Sequence, residues 1–278
     1  LSKEENTFIL DLFKKNNKRK NKIKTKDYFL KNIKKLTREW EDEQLTTYEY
    51  LLFLNKFASR TYNDINQYPV FPWTIKKYIT DKNLKENKFV QRNFNYPMAS
   101  QNEDNRIIAY TRYEDEEKNK QSFPIHYGTH YSTSSYVNFY LMRQEPFTTL
   151  LIKLQGYKQE HPDRMFYSII DTLLILESGH DNRECIPDII SKIEQFINLN
   201  CVNFGTKNLG IRVDDFNIYI YDEKNESDRK KLLNCNNYSI SDYVNFIIQE
   251  HIYLNSTKIA HDIIHWFDLI FGVGQLPE

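Results

Sequence analysis

Apolar residues recur at helical spacing in several stretches, and between them lie runs that fit neither a helix nor a strand. Phe8, Ile9, Leu12 and Phe13 share one helix face, and Phe29, Leu30 and Ile33 mark a second, short helix. Thr46-Thr-Tyr-Glu49 has the form of a capping box, with a hydroxyl for an orphan amide and a carboxylate three residues on. It opens a helix that the spacing of Tyr48, Leu51, Leu52, Asn55 and Ala58 carries to about Arg60. Shorter helical patterns follow at 136–143 and 147–155, separated by Pro146, and a clear one at 163–177 carries Met165, Phe166, Ile169, Ile170, Leu173 and Leu174 inward. Residues 189–197 read as another short helix. Residues 211–221 alternate as a strand or extended segment, with a slip at Asp214-Asp215, and 222–237 read as a polar loop. Residues 241–271 predict two helices with a break near Asn255-Ser256.

Two runs stand outside these periods. Tyr68-Pro-Val-Phe-Pro-Trp73 cannot continue a helix, because Pro69 and Pro72 lack amide donors and hold Tyr68 and Phe71 extended. His126-Tyr-Gly-Thr-His-Tyr-Ser132 is equally aromatic and irregular. Both are too apolar for solvent loops, and buried irregular backbone needs partners for its amides and carbonyls. Asn55, Arg60, Asn63, Asp64 and Gln67 flank the first run and can supply them; Arg60 and Asp64 can pair with each other if the helix persists that far. Arg143 and Glu145 flank Pro146 in the same way. The fold class expected is therefore mainly α, with helices packed around long extended segments of irregular core backbone.

Composition agrees with an aromatic core: among 278 residues are 20 Tyr, 18 Phe and 3 Trp, against 7 Gly. The formal net charge of +0 gives no global field to steer nucleic acid. The charge is uneven, however. Residues 14–26 are basic without one acid, and Glu114-Asp-Glu-Glu117 is acidic. The basic run reads either as a solvated linker or as an attachment to anionic lipid headgroups through Lys18, Arg19, Lys20 and Lys22. Three cysteines, far apart and without a CxxC, suggest neither a disulfide framework nor a thiolate zinc site, and suit a reducing cytoplasm. The sequence has no apolar stretch of bilayer-spanning length and no signal peptide. A start at Leu1 and a stop at Glu278 just after a helical pattern read as a segment of a longer polypeptide.

Catalytic patterns are weak. His261-Asp-Ile-Ile-His265 has metal-binding spacing, with His251 the nearest third ligand, but Asp262 stands where a zinc protease uses Glu. Ile263, Ile264, Trp266 and Leu269 make that helix an ordinary packing element. His126 and His130 read as satisfied core histidines. There is no GxSxG elbow, Walker A loop or GxGxxG turn, so no enzyme and no cofactor are expected.

The irregular runs, with other stretches in the same order, resemble the BEACH (beige and Chediak–Higashi) domain family. The matching residues include Trp40; Tyr48-Glu-Tyr-Leu51; Leu54-Asn55; Ala58-Ser-Arg60; Tyr62-Asn-Asp64; Gln67 to Trp73; Pro97-Met98 and His126 to Ser132. They continue with Glu145-Pro-Phe147; Gln155-Gly156; Asp163-Arg164 with Phe166; Ile186-Pro187; Asn198; and Trp266 to Gly272 with Gln275. The resemblance covers about residues 37–275 and leaves 1–36 as a connection from a preceding domain. It implies a mainly helical fold with irregular core segments, a neighbouring pleckstrin-homology-like (PH-like) domain, and WD repeats beyond. It also implies a large cytoplasmic scaffold, peripherally associated with vesicle or organelle membranes, that acts in trafficking, lysosome-related organelles, fusion and fission, or autophagy. Partners would be the PH-like domain, trafficking proteins and an anionic membrane surface, not nucleic acid. The region around the first run, with Asn55, Arg60, Asp64, Tyr68, Phe71 and Trp73, is the candidate support for docking or partner binding. Ser59 departs from the Gly of the family's Ala-Gly-Arg triplet, and Asp188-Ile-Ile190 replaces a Phe-rich stretch. The family's Leu-Pro-Pro-Trp-Ala run is absent, with Phe216-Asn-Ile-Tyr-Ile220 near its place.

Overall fold

A computed structural model of the chain describes residues 26–79, 88–121, 123–208, 210–219 and 238–272, and the single positions 227 and 274. It is mainly helical. The chain divides into two units, Leu1–Tyr50 and Leu51–Glu278. The basic run, with its candidates Lys18, Arg19, Lys20 and Lys22, and most of the 222–237 loop lie outside the described residues.

In the first unit, helix α1 (Lys26–Glu41) is longer than the short helix expected there. The Trp40 ring stacks on Tyr50 at 4.8 Å, and its indole N–H donates to Thr47 Oγ1 at 3.2 Å. The expected capping box opens α2 (Thr47–Phe57): the Thr46 amide donates to Glu49 Oε2 (3.0 Å), and the Glu49 amide donates to Thr46 Oγ1 (3.2 Å).

The end of α2 explains the Ser59 departure. The Ser59 amide donates to the Lys56 carbonyl (3.1 Å) and the Arg60 amide to the Asn55 carbonyl (2.9 Å), the two bonds of a Schellman cap. Ser59 occupies the left-handed position of that cap, at φ 62°. A Cβ is strained there and glycine is not, so the family's glycine is explained by backbone geometry.

The described residues of the second unit include an antiparallel hairpin, β1 (Ile75–Ile79) with β2 (Lys88–Gln91), in the register Lys77↔Val90 and Tyr78↔Phe89. Its helices are α3 (Glu103–Lys118), α4 (Ser134–Tyr140), α5 (Phe147–Leu154), α6 (Ile169–Glu177), α7 (Ile240–Leu254), α8 (Thr257–Asp262) and α9 (Ile264–Phe271). The hairpin lies against α6, α4 packs on α5, and α7 packs on the 3-10 turn Pro187–Ile190. Among the described residues no helix is long and apolar enough to cross a membrane.

Several expectations are corrected by the structure. The helix expected from 163 begins only at Ile169, with Ser168 as its cap. Ahead of it Pro162–Arg164 form a 3-10 turn, and Tyr167 and Ser168 are held extended, because the Asn217 amide donates to the Tyr167 carbonyl (2.7 Å) and the Ile169 amide to the Asn217 carbonyl (3.1 Å). Residues 189–197 form a 3-10 turn and irregular chain rather than a helix. The alternating segment from 211 is extended but is no strand, since its bridges reach separate places, Arg212 to Thr206 and Asn217 to Ser168. Its slip has a purpose: Asp214 and Asp215 both turn their carboxylates to Asn198, at 2.7 Å each. The break at Ser256 is present, and a second at Ile263 divides α8 from α9.

Helix α3 and the hairpin have no counterpart in the sequence reading. α3 has no clean apolar face, as Ile107, Ile108 and Tyr110 are exposed. Its one legible sign is Asn102, whose side chain caps the Asn105 amide at 2.8 Å with two acids in the first turn.

The core is aromatic and much of it hangs on irregular chain. Phe166, Phe196 and Phe216, all fully buried and none in a helix or strand, stack in series at 4.3 Å and 5.1 Å between ring centres. Tyr140 and Tyr243 close the cluster from α4 and α7.

Replacing Ser59 by glycine relieves the left-handed Cβ, and Ser59→Gly is expected to stabilise the protein by about 0.5–1 kcal/mol in chemical denaturation. A destabilised variant would contradict the cap geometry.

Candidate functional site

The 68–73 run crosses the interior of the second unit in extended form, and among the described residues it has an isolated bridge, Phe71 with Cys185, but no neighbouring strand. Residues 68 to 73 are all buried. Side chains replace the missing strand. Asn55 on α2 grips Val70 at both ends: its Oδ1 accepts from the Val70 amide (2.7 Å) and its Nδ2 donates to the Val70 carbonyl (2.9 Å). The Phe71 amide donates to the Cys185 carbonyl (2.9 Å), and the Trp73 amide to Glu184 Oε2 (3.4 Å).

Arg60 is launched by the Schellman cap at the end of α2. Its Nη1 donates to the Tyr68 carbonyl (2.9 Å) and to Ser132 Oγ (3.2 Å), and its Nη2 donates to the Tyr131 hydroxyl (3.0 Å). It thus ties the first irregular run to the second. The expected alternative, Arg60 with Asp64, is not how these side chains are used: α2 ends at Phe57, and Asp64 instead accepts from the Asn66 amide (2.9 Å), capping the 3-10 turn Ile65–Gln67.

Beneath the run lies a buried ion pair that no motif announced. Arg92, just after β2, donates from both terminal nitrogens to Glu184 at 2.6 and 2.7 Å, with side chains 0% and 2% exposed. Glu184 is itself anchored at the backbone, where its amide donates to the Tyr131 carbonyl (2.9 Å) and its carbonyl accepts from the Tyr140 hydroxyl (3.0 Å). Asp188 accepts from the Tyr68 hydroxyl (3.0 Å) and from Lys192 Nζ (2.6 Å). Burial, and then the nearby Asp188 carboxylate, raise the Tyr68 phenol well above its ordinary range, so it remains a donor. Burial likewise pushes up the Cys185 thiol, which makes it an inert core group.

The same device recurs farther along the chain. Arg143, fully buried, donates from Nε to the Asp214 carbonyl and from Nη1 to the Phe166 carbonyl, both at 2.8 Å. Burial pushes its guanidinium down to about 10, so it stays charged at neutral pH. Asn198 grips Val202 as Asn55 grips Val70, at 3.0 Å to the amide and 2.9 Å to the carbonyl.

Of the candidate residues, Asn55, Tyr68, Phe71 and Trp73 are buried and brace the region from within. Arg60 is half-buried and Asp64 exposed. The outward face above the run adds residues not singled out from the sequence. The Tyr62 ring, 45% exposed, stands edge-on to Tyr68 at 5.4 Å with Lys192 Nζ 5.3 Å from its centre. His130 stacks on Tyr131 at 4.3 Å, and its Nδ1 lies 2.7 Å from the Ser132 carbonyl.

Two histidine readings change. His126 and His130 are exposed rather than core, held by stacking on Tyr113 and Tyr131. His261 and His265 do not share a helix, because the break at Ile263 places them on α8 and α9, and His261 Nδ1 faces Asp262 at 2.9 Å. Among the described residues no three His, Cys, Asp or Glu side chains are grouped to hold a metal.

A family model for the Beige/BEACH domain matches residues 38–278, and the chain belongs to this family. Among characterised sequences, the BEACH domain-containing protein lvsD of Dictyostelium discoideum is 35% identical over 240 residues, 86% of this chain and 7% of that protein. The putative neurobeachin homolog of Caenorhabditis elegans is 32% identical over 241 residues, 85% of this chain and 9% of that protein. The chain therefore spans less than a tenth of the length of these relatives.

Removing one partner of the buried pair strands the other charge. Glu184→Gln is expected to cost about 3–5 kcal/mol in chemical denaturation at neutral pH. The double variant Arg92→Met/Glu184→Gln should lose less than the sum of the two single variants. Strict additivity would show that the pair is not coupled.

Proposed function

We propose that this chain is the BEACH domain of a large cytoplasmic scaffold and that it works by binding rather than by catalysis. The observation that carries this reading is the family match over 38–278 together with relatives of which it matches less than a tenth. The braced 68–73 run supports an outward face of Arg60, Tyr62, Asp64 and Lys192, on which a preceding PH-like domain or a trafficking protein docks. Aromatic and arginine side chains are the groups that contribute most at such interfaces, and here they are held rigid from below. The place of action is a vesicle or organelle membrane, reached peripherally, in trafficking, fusion and fission, or autophagy; WD repeats elsewhere in the full protein fit the same role.

A second reading rests on residues 14–26, basic without an acid, as a contact to anionic lipid. Its signature is flotation with anionic vesicles that falls steeply as salt rises and is lost when Lys18, Arg19, Lys20 and Lys22 are replaced by Gln.

The scaffold reading is tested on the outward face. In the full-length protein, Tyr62→Ala, which keeps the Lys192–Asp188 pair, is expected to leave thermal unfolding near that of the parent. Recovery of trafficking proteins from cell extract, read by mass spectrometry, should fall at least about tenfold, the equivalent of 1.4 kcal/mol. Recovery equal to the parent's would overturn the assignment of this face.

A further inference from the structure

Helix α5 (Phe147–Leu154) reverses the usual order of inside and outside. Its sequence, Phe-Thr-Thr-Leu-Leu-Ile-Lys-Leu, is mostly apolar, and a helix on the surface of a domain turns such residues to the core. Here the one buried residue is Thr148. Its hydroxyl donates to the Met142 carbonyl (2.6 Å), which ties the helix to the chain before it. Phe147, Leu150, Leu151 and Ile152 are only half-buried, and Leu154 is 55% exposed. At about 3.6 residues per turn, Leu150, Lys153 and Leu154 project from the side opposite Thr148.

The cap of α5 extends the pattern. Gly156 (φ 66°) and Tyr157 (φ 64°) are both left-handed, with the Tyr157 amide donating to the Ile152 carbonyl (2.9 Å) and the Gly156 amide to the Lys153 carbonyl (3.1 Å). Glycine takes that conformation freely, whereas an aromatic residue there is strained. The Tyr157 ring is 78% exposed, so packing against the protein does little to offset the strain.

Charge on this stretch has one sign. Residues 146–159 contain Lys153 and Lys158, both exposed, and no acid. The acids at either end are engaged. Glu145 accepts from the Thr149 hydroxyl (3.0 Å), and Glu160 accepts from the Gln155 side-chain amide (2.6 Å) and the His161 amide (2.8 Å). Exposed aliphatic side chains, an aromatic ring at one end and lysines without acids suit the headgroup region of a bilayer. Apolar groups are buried there, the ring sits at the polar boundary, and lysines meet anionic lipid.

We propose that α5 and its cap form a membrane-contact face, in which Leu150, Leu154 and Tyr157 enter the interfacial region of an anionic bilayer and Lys153 and Lys158 meet its headgroups. This contact rests on the membrane-surface reading above, and it uses neither the 14–26 run nor the docking face at Tyr62.

Trp40, Trp73 and Trp266 are buried, so Tyr157→Trp adds an accessible indole that reports depth. The full chain is mixed with vesicles of equimolar phosphatidylcholine and phosphatidylserine with brominated acyl chains. It is used with the basic run intact and with Lys18, Arg19, Lys20 and Lys22 replaced by Gln. Quenching of the added indole is expected in both forms, against none in the parent. Leu154→Gln with Tyr157→Gly should lower partitioning about tenfold, the scale of two partly buried apolar side chains. Folding is not at stake in that variant, since Leu154 is exposed and glycine relieves the left-handed strain. Lys153→Gln and Lys158→Gln should each lower partitioning about fivefold at low salt. Flotation with an unquenched indole would overturn the assignment of α5 and leave membrane contact to the basic run. No flotation of any form would overturn the membrane reading itself, and this face with it. Partitioning of Leu154→Gln/Tyr157→Gly equal to the parent's would overturn the face alone.

Discussion

A peptide group that is buried outside a helix or sheet must find its partner among side chains, and much of the second unit is arranged around that constraint. The 68–73 run has no flanking strand. Its carbonyls and amides are matched instead by Asn55, Arg60, Glu184 and the Cys185 backbone. Each of those side chains is fixed by something else: Asn55 by α2, Arg60 by a helix cap and two hydroxyls, Glu184 by Arg92. Stability and shape are therefore coupled, since loosening one brace orphans groups in the run itself.

Charge enters the interior on the same terms. Burying a guanidinium is costly unless its donors are used. Arg92 meets a carboxylate, whereas Arg143 meets carbonyls of Phe166 and Asp214. In both cases the charge holds irregular chain in place. For the proposed docking face at Tyr62, Asp64 and Lys192, bracing of this kind would leave little side-chain or loop freedom to be lost on association.

What could be read from the sequence follows a physical divide. Local signals came through: the capping box at Thr46, the prolines at 69 and 72, and the break at Asn255-Ser256 each depend on residues within one turn. Of the polar residues flanking the 68–73 run, Asn55 and Arg60 brace it as buried irregular chain requires, although their partners were not legible, whereas Asp64 caps a local turn. Long-range pairing stayed hidden. Nothing near Arg92 points to Glu184, 92 positions away, and nothing in 163–168 shows that Asn217 will hold Tyr167 and Ser168 extended. Helix α3 was missed because its isoleucines face outward, and the histidines of the second run because ring stacking at a surface has no spacing rule.

The central claim is that side chains substitute for a strand along the 68–73 run. Amide hydrogen exchange at Val70 tests it most directly, in the parent protein and in Asn55→Leu. The account predicts that Val70 exchanges only through global unfolding in the parent. In Asn55→Leu, protection at Val70 should fall and the protein should lose about 1–3 kcal/mol for each orphaned group. Fast exchange at Val70 in the parent, or an Asn55→Leu variant as stable and as protected as the parent, would contradict it.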